Sequence, residues 1–119
     1  MGALRRWLVR LTETDEARLD AGIRDWAESI PGSVRIGRAP LRQRVKIAGV
    51  IRRLTVFPTK DNEALETVVS DGTGEVIVRF TGRRAIGGLT LGTRVVVTGV
   101  LGEQHGRVQM MNPVLELTA

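Results

Sequence analysis

The chain has 119 residues, of which 42% are hydrophobic, and a net charge of +5. This length suits one ordinary domain with its own core and is too short for two. The absence of cysteine excludes disulfides, thiolate metal sites and cysteine nucleophiles, and it favours a cytoplasmic location. No apolar run approaches the roughly 20 residues needed to cross a bilayer, so we expect no transmembrane segment.

Residues 1–31 carry two apolar stripes at helical spacing, which predict a helical N-terminal arm of one or two α-helices. The first stripe comprises Leu4, Trp7, Leu8 and Leu11, and the second comprises Leu19, Ile23, Trp26 and Ile30. Pro31-Gly32 ends the second pattern. Three roles stay open for this arm: docking on the rest of the chain, contact with a protein partner or self-association through residues 4–30, and, more weakly, adsorption to a membrane surface.

Residues 32–43 mix Gly, Ser, Pro and Arg and are interpreted as a connection. Residues 44–56 follow as a long β-strand, in which Val45, Ile47 and Ile51 alternate around Gly49. The missing side chain at Gly49 would let this strand coil across a barrel corner. Residues 57–62 are predicted to form a loop.

A β-hairpin is predicted over residues 65–80, because two β-rich runs flank the turn Asp71-Gly-Thr-Gly74. Turn formation accounts for Asp71. Alternation divides the hairpin into an inward and an outward set of side chains. The inward set is Leu65, Thr67, Val69, Val76, Val78 and Phe80, and the outward set is Glu66, Val68, Ser70, Ile77 and Arg79.

Two further strands are predicted over residues 94–101 and 107–115, the last weakened by Pro113. Residues 82–89 are rich in glycine and predict one irregular turn, and residues 102–106 predict a second turn. The chain therefore has a mainly β pattern with five strands over residues 44–119. This arrangement is typical of the oligonucleotide/oligosaccharide-binding (OB) fold, a five-stranded Greek-key barrel, here preceded by one or two N-terminal α-helices.

Three runs carry a family resemblance: Val69-Ser-Asp-Gly-Thr-Gly-Glu-Val76, Leu91-Gly-Thr-Arg-Val-Val-Val-Thr-Gly-Val100 and Gly106-Arg-Val-Gln-Met-Met-Asn-Pro113. They resemble OB-fold domains of the anticodon-binding superfamily, in particular the wedge domain of RecG-type DNA helicases. The chain is also similar to small actinobacterial OB-fold proteins in which such a barrel follows a short helical N-terminus. The resemblance covers residues 44–117 and implies a nucleic-acid-binding fold. The phosphate-binding loop of a helicase motor is absent, so we expect no ATP-driven activity.

Excess positive charge lies on the predicted barrel, since residues 41–119 contain eleven Lys and Arg against seven acids. Cations suit phosphate, and an aromatic ring on a loop suits base stacking. The side chains predicted to contact nucleic acid are Lys46, Arg52, Arg53, Phe57, Lys60, Arg79, Arg83 and Arg84. Each cation alone fits a solvated surface charge better, and only their joint concentration near the expected binding face makes a binding role an even alternative. The lone His105 fits an exposed turn better than a ligand or base.

The sequence thus favours a non-catalytic OB-fold module that binds single-stranded DNA or RNA with little sequence specificity. We expect neither a cofactor nor a metal, because no nucleophile triad, metal-ligand cluster or paired-carboxylate motif can be argued from spacing. The alternative is a protein–protein interaction module that uses the amphipathic N-terminal helices. A basic concave face with an exposed Phe57 would favour nucleic acid, whereas a face covered by residues 1–30 would favour protein interaction.

Overall fold

The computed structural model describes residues 17–118, and these form an α-helix followed by a closed β-sheet. Residues 17–29 are helical and are called α1. A bend at Ile30 and a turn at Pro31-Gly32 follow α1, as the sequence predicts. The apolar stripe predicted from Leu4 to Leu11 lies outside the described residues.

Six strands make up the sheet, and the predicted OB-fold barrel is confirmed. The strands are β1 (Arg44–Pro58), β2 (Glu63–Ser70), β3 (Glu75–Thr81), β4 (Arg94–Gln104), β5 (Arg107–Met111) and β6 (Val114–Leu117). Their order is β1-β2-β3-β5-β4-β6, and an additional β1–β4 pairing closes the barrel. The β3–β5 pair is parallel, and the other pairs are antiparallel.

Some predicted boundaries are wrong. The turn predicted over residues 102–106 is shorter, because β4 extends to Gln104 and β5 begins at Arg107. The strand predicted over residues 107–115 is divided into β5 and β6, because Asn112 has a φ of 47° and turns the chain before Pro113. Its side-chain oxygen accepts a hydrogen bond from the backbone N–H of Thr81 over 2.9 Å, which holds the break against β3. Phe57 was predicted on a loop but lies in β1, opposite Ala64, because the β1–β2 ladder extends to Pro58 and Glu63.

The barrel core follows from strand alternation. Every inward residue predicted for the hairpin is buried, including Phe80 at 6% exposure and Thr67 at 1%. Of the predicted outward set, Ser70 is also buried, at 7% exposure, because it lies at the turn end of β2. A Cβ added at Gly49 would lie 2.6 Å from the carbonyl oxygen of Ser70, so only glycine lets β1 cross β2 at this point.

Helix α1 packs on the outside of the barrel through its last turns. Ala27 is buried against Ala48 and Val96, with Trp26 and Ile30 beside it. A small side chain at the point of contact allows the helix to approach the sheet closely. Leu19, which the pattern placed on the same stripe, is 63% exposed.

The predicted connection is fastened to the barrel. It contains a short 3-10 helix, Ile36–Arg38, and Ile36 is 5% exposed within the barrel core. The backbone N–H of Ile36 donates to Oδ2 of Asp71 over 2.8 Å. Oδ1 of the same carboxyl accepts from the backbone N–H and the hydroxyl of Thr73, over 2.8 and 2.6 Å, and from the N–H of Gly74 over 3.1 Å. Asp71 therefore joins the hairpin turn to the connection.

Replacement of Asp71 by alanine is expected to lower the free energy of unfolding by about 2–4 kcal/mol, because a buried backbone donor at Ile36 and the turn donors lose their acceptor. Urea denaturation of the full chain measures this change. Asp61→Ala is the matched control, since Asp61 is exposed in the loop between β1 and β2, and surface changes usually stay within about 0.5 kcal/mol. Equal losses from the two substitutions would contradict a role for the Asp71 hydrogen bonds.

The division of the chain into residues 1–31, 32–43 and 44–119 stays a prediction that truncation can test. A chain beginning at Ser33 and one beginning at Pro40 both lack α1, but only the second lacks Ile36. We expect the second to be less stable by about 2–4 kcal/mol, from one lost buried isoleucine and its bond to Asp71. Urea midpoints that coincide would instead support a barrel that is complete from residue 44.

Candidate functional site

A groove lies on the outward faces of β1, β2, β3 and β5. The strand register aligns one row of residues across it, in which Val68 is opposite both Arg53 and Ile77, and Ile77 is opposite Gln109. Two adjoining depressions follow this surface and share Ile77 and Arg107 in their walls. The turn between β4 and β5 forms one side of the groove, through His105 and Gly106.

A second row of the groove contains an ion pair. Glu66 is opposite Arg79, and their side chains form an ion pair with a nitrogen–oxygen distance of 2.6 Å. The Arg79 guanidinium also lies over the ring of Phe57, 6.0 Å from its centroid. Phe57 is 41% exposed. A planar cation and an aromatic ring are therefore presented together on one open surface.

Three arginines line the groove, namely Arg53, Arg79 and Arg107, against two acids, Glu66 and Glu75. The ion pair with Arg79 offsets the charge of Glu66. The groove thus keeps a modest positive charge together with forked donors, which suit phosphate oxygens.

The structure brings only some of the predicted site residues together. Arg53, Phe57 and Arg79 lie on the groove face. Arg52 occupies the irregularity between Ile51 and Arg53 and points toward α1, where it bonds Asp20 over 2.8 Å. Lys46 lies on the far half of β1, opposite Thr98.

The remaining predicted cations lie at the ends of the barrel. Lys60 is exposed in the loop between β1 and β2. Arg84 is 3.9 Å from the carboxylate of Glu63 at the start of β2. Arg83 borders a separate depression formed with Phe80 and Pro113.

Sequence reasoning missed Arg107, which borders both depressions of the groove. Alternation could have placed it outward, because Met110 is buried and Arg107, Gln109 and Met111 share the other parity. Alternation cannot predict that β5 pairs in parallel with β3, and this pairing brings β5 to the groove. Gln104 was missed because it was predicted in a turn, whereas His105 lies in an exposed turn as predicted and borders the groove from there.

Helix α1 leaves the groove open. Its contacts on the barrel include Ala48, Val96, Arg94, Arg52 and the hairpin turn near Gly72, none of which lines the groove. Within residues 17–118, no helix is long and apolar enough to cross a membrane. The same residues contain no group of three or more His, Asp or Glu side chains placed to hold a metal ion.

Comparison with known proteins identifies a family and a solved structure of similar fold. The model of the family described as OB-fold nucleic acid binding domain matches residues 45–118. A chain in the structure of a replication protein A heterotrimer bound to ssDNA is similar in fold, with a TM-score of 0.53 and 19% sequence identity. The likeness covers 76% of this chain and 68% of that one. No curated protein matches the chain.

Proposed function

Because the chain belongs to the OB-fold nucleic acid binding domain family, we propose that it is a non-catalytic module that binds single-stranded DNA or RNA in the groove. One observation carries this proposal: Arg53, Arg79 and Arg107 line a single concave surface that α1 leaves open. A cytoplasmic location and independence from cofactors belong to the same proposal.

Phosphate contact explains why the three arginines share one face. A guanidinium offers several N–H donors in a fixed plane and can bind a phosphate through two of them. Release of counterions from the strand supplies most of the free energy of such binding and makes it sensitive to salt. The affinity should therefore be moderate, since two acids lie among the three cations.

Base stacking in this groove depends on few groups. Aromatic residues make up 3% of the chain, and Phe80 is buried in the core. Phe57 and the guanidinium plane of Arg79 form the exposed pair, and both kinds of surface stack on bases of any sequence. Contacts of this type discriminate poorly between bases, which supports binding with little sequence specificity.

A second candidate function is protein interaction through residues 4–30. One observation favours it, which is the 63% exposure of Leu19 on a helix whose Trp26 and Ala27 pack on the barrel. An exposed leucine is common on protein surfaces, so this observation weighs less than the groove.

Neutralising the groove should weaken binding and reduce its salt dependence. In the variant Arg53→Gln, Arg79→Gln and Arg107→Gln, three phosphate contacts are lost, and the slope of log affinity against log salt should fall by about 2. Fluorescence anisotropy with labelled oligothymidylate across a NaCl series measures this slope. The control Arg18→Gln, Arg83→Gln and Arg84→Gln removes the same charge outside the groove. If both variants lost the same affinity and salt dependence, the protein would attract nucleic acid through its overall charge and the groove would not be a defined site.

Arg79→Lys separates stacking from charge, because lysine keeps the cation and loses the plane. The wild-type protein should bind an oligothymidylate more tightly than an abasic strand of equal length, and the variant should lose roughly fivefold of that preference, equivalent to about 1 kcal/mol of stacking. Anisotropy titrations with the two strands provide the measurement. Arg84→Lys is the control and should leave the preference unchanged. An unchanged preference in Arg79→Lys would exclude stacking on the guanidinium.

A further inference from the structure

The outward row that crosses the groove continues beyond β5. Gln109 is opposite Ile77 on one side and Gly102 of β4 on the other. On the far edge of β4, the backbone N–H of Arg42 donates to the carbonyl of Leu101 over 2.6 Å. One continuous outer surface therefore runs from the groove, across β5 and β4, to the residues that enter β1.

Cations gather where this surface ends. Arg42 and Arg44 are exposed there, with Arg38 before them and Lys46 after them. Arg44 is opposite Val100, and it projects outward because the next residue, Val45, is buried. Within residues 17–118, none of these four cations forms an ion pair. Among the described residues, no acid therefore offsets their charge.

Between the groove and these cations, Gly102 contributes no side chain to the surface. A Cβ added at Gly102 would meet only the carbonyl oxygen of Gln109, at 3.9 Å, so there is room for a side chain that the protein does not carry. The adjacent acid, Glu103, is exposed and is opposite Val108, which borders the groove. The row between Ile77 and Arg42 itself consists of Gln109 and Gly102, and neither is acidic.

We propose that a single strand bound in the groove continues past β5 and over Gly102 to a second set of phosphate contacts at Arg42 and Arg44. This extension rests on the proposed function of the groove and lengthens its binding site. A strand that fills only the groove makes no use of these cations, whereas a longer strand gains two further charge-assisted contacts. Binding should consequently depend on strand length.

The test uses the full chain and 5′-labelled oligothymidylates of about 4 and about 12 nucleotides, lengths at the short end and within the range that one OB fold binds. For wild-type protein, the salt slope of the longer strand should exceed that of the shorter one by about 1.4, from two added contacts. In Arg42→Gln plus Arg44→Gln, the longer strand should lose this excess and the shorter strand should bind as before.

Gly102→Glu provides an independent test, because it adds a negative charge to the path at a position with space for a side chain. It should weaken binding of the longer strand and leave the shorter strand unaffected. Gly87→Glu is its matched control, since an added Cβ at Gly87 meets no atom within 4 Å, and it should affect neither strand.

The outcomes distinguish the extension from the groove itself. The extension would be overturned if Arg42→Gln plus Arg44→Gln weakened binding of both strands equally. It would also be overturned if this variant bound the longer strand as tightly as the wild-type protein does. Wild-type protein that binds neither strand at low salt would overturn the proposed function of the groove, and the extension with it. Both sites are supported if the groove variant weakens binding of both strands and Arg42→Gln plus Arg44→Gln weakens binding of the longer strand alone.

Discussion

The hydrogen bonds of the Asp71 carboxylate hold the segment between α1 and β1 against the barrel. The carboxylate accepts hydrogen bonds from the hairpin turn through one oxygen and from the backbone of Ile36 through the other. Asp71 is only 2% exposed, so water competes little for these hydrogen bonds. Leaving a buried donor without a partner there costs about 1–3 kcal/mol. The contact with Asp71 holds the backbone of Ile36, and with it the connection that follows α1, against the hairpin turn.

Placement of α1 decides which surface stays available. The helix covers Ala48 and Val96 on the outside of the barrel and approaches Gly72, where an added Cβ would collide with the carbonyl of Asp20. Glycine at this position, with a φ of 83°, thus serves both the turn and the helix contact. The outward faces of β2 and β3 are left uncovered by the described residues, and this open face is the groove.

Charge within the groove is arranged by strand pairing more than by composition. Glu66 and Arg79 are cross-strand neighbours, and the partly buried carboxylate holds the guanidinium beside Phe57. A free arginine side chain loses rotamer entropy when it binds, so a guanidinium already held in place loses less. The same acid reduces the net positive charge of the groove. The surface therefore combines a stacking group held by an ion pair with a modest excess of positive charge.

Local chemistry in the sequence was sufficient for the strands of the hairpin, the inward direction of Phe80 and the need for glycine at position 49, because alternation and turn geometry act over a few residues. It was sufficient also to place Arg79 outward. It could not separate Arg53, in the groove, from Arg52, paired with Asp20 of α1, because an irregularity in β1 turns neighbouring residues to different surroundings. Nor could it find Arg107, which reaches the groove only through the parallel pairing of β5 with β3. Such long-range pairings depend on how the whole barrel closes, and only the tertiary structure decides them.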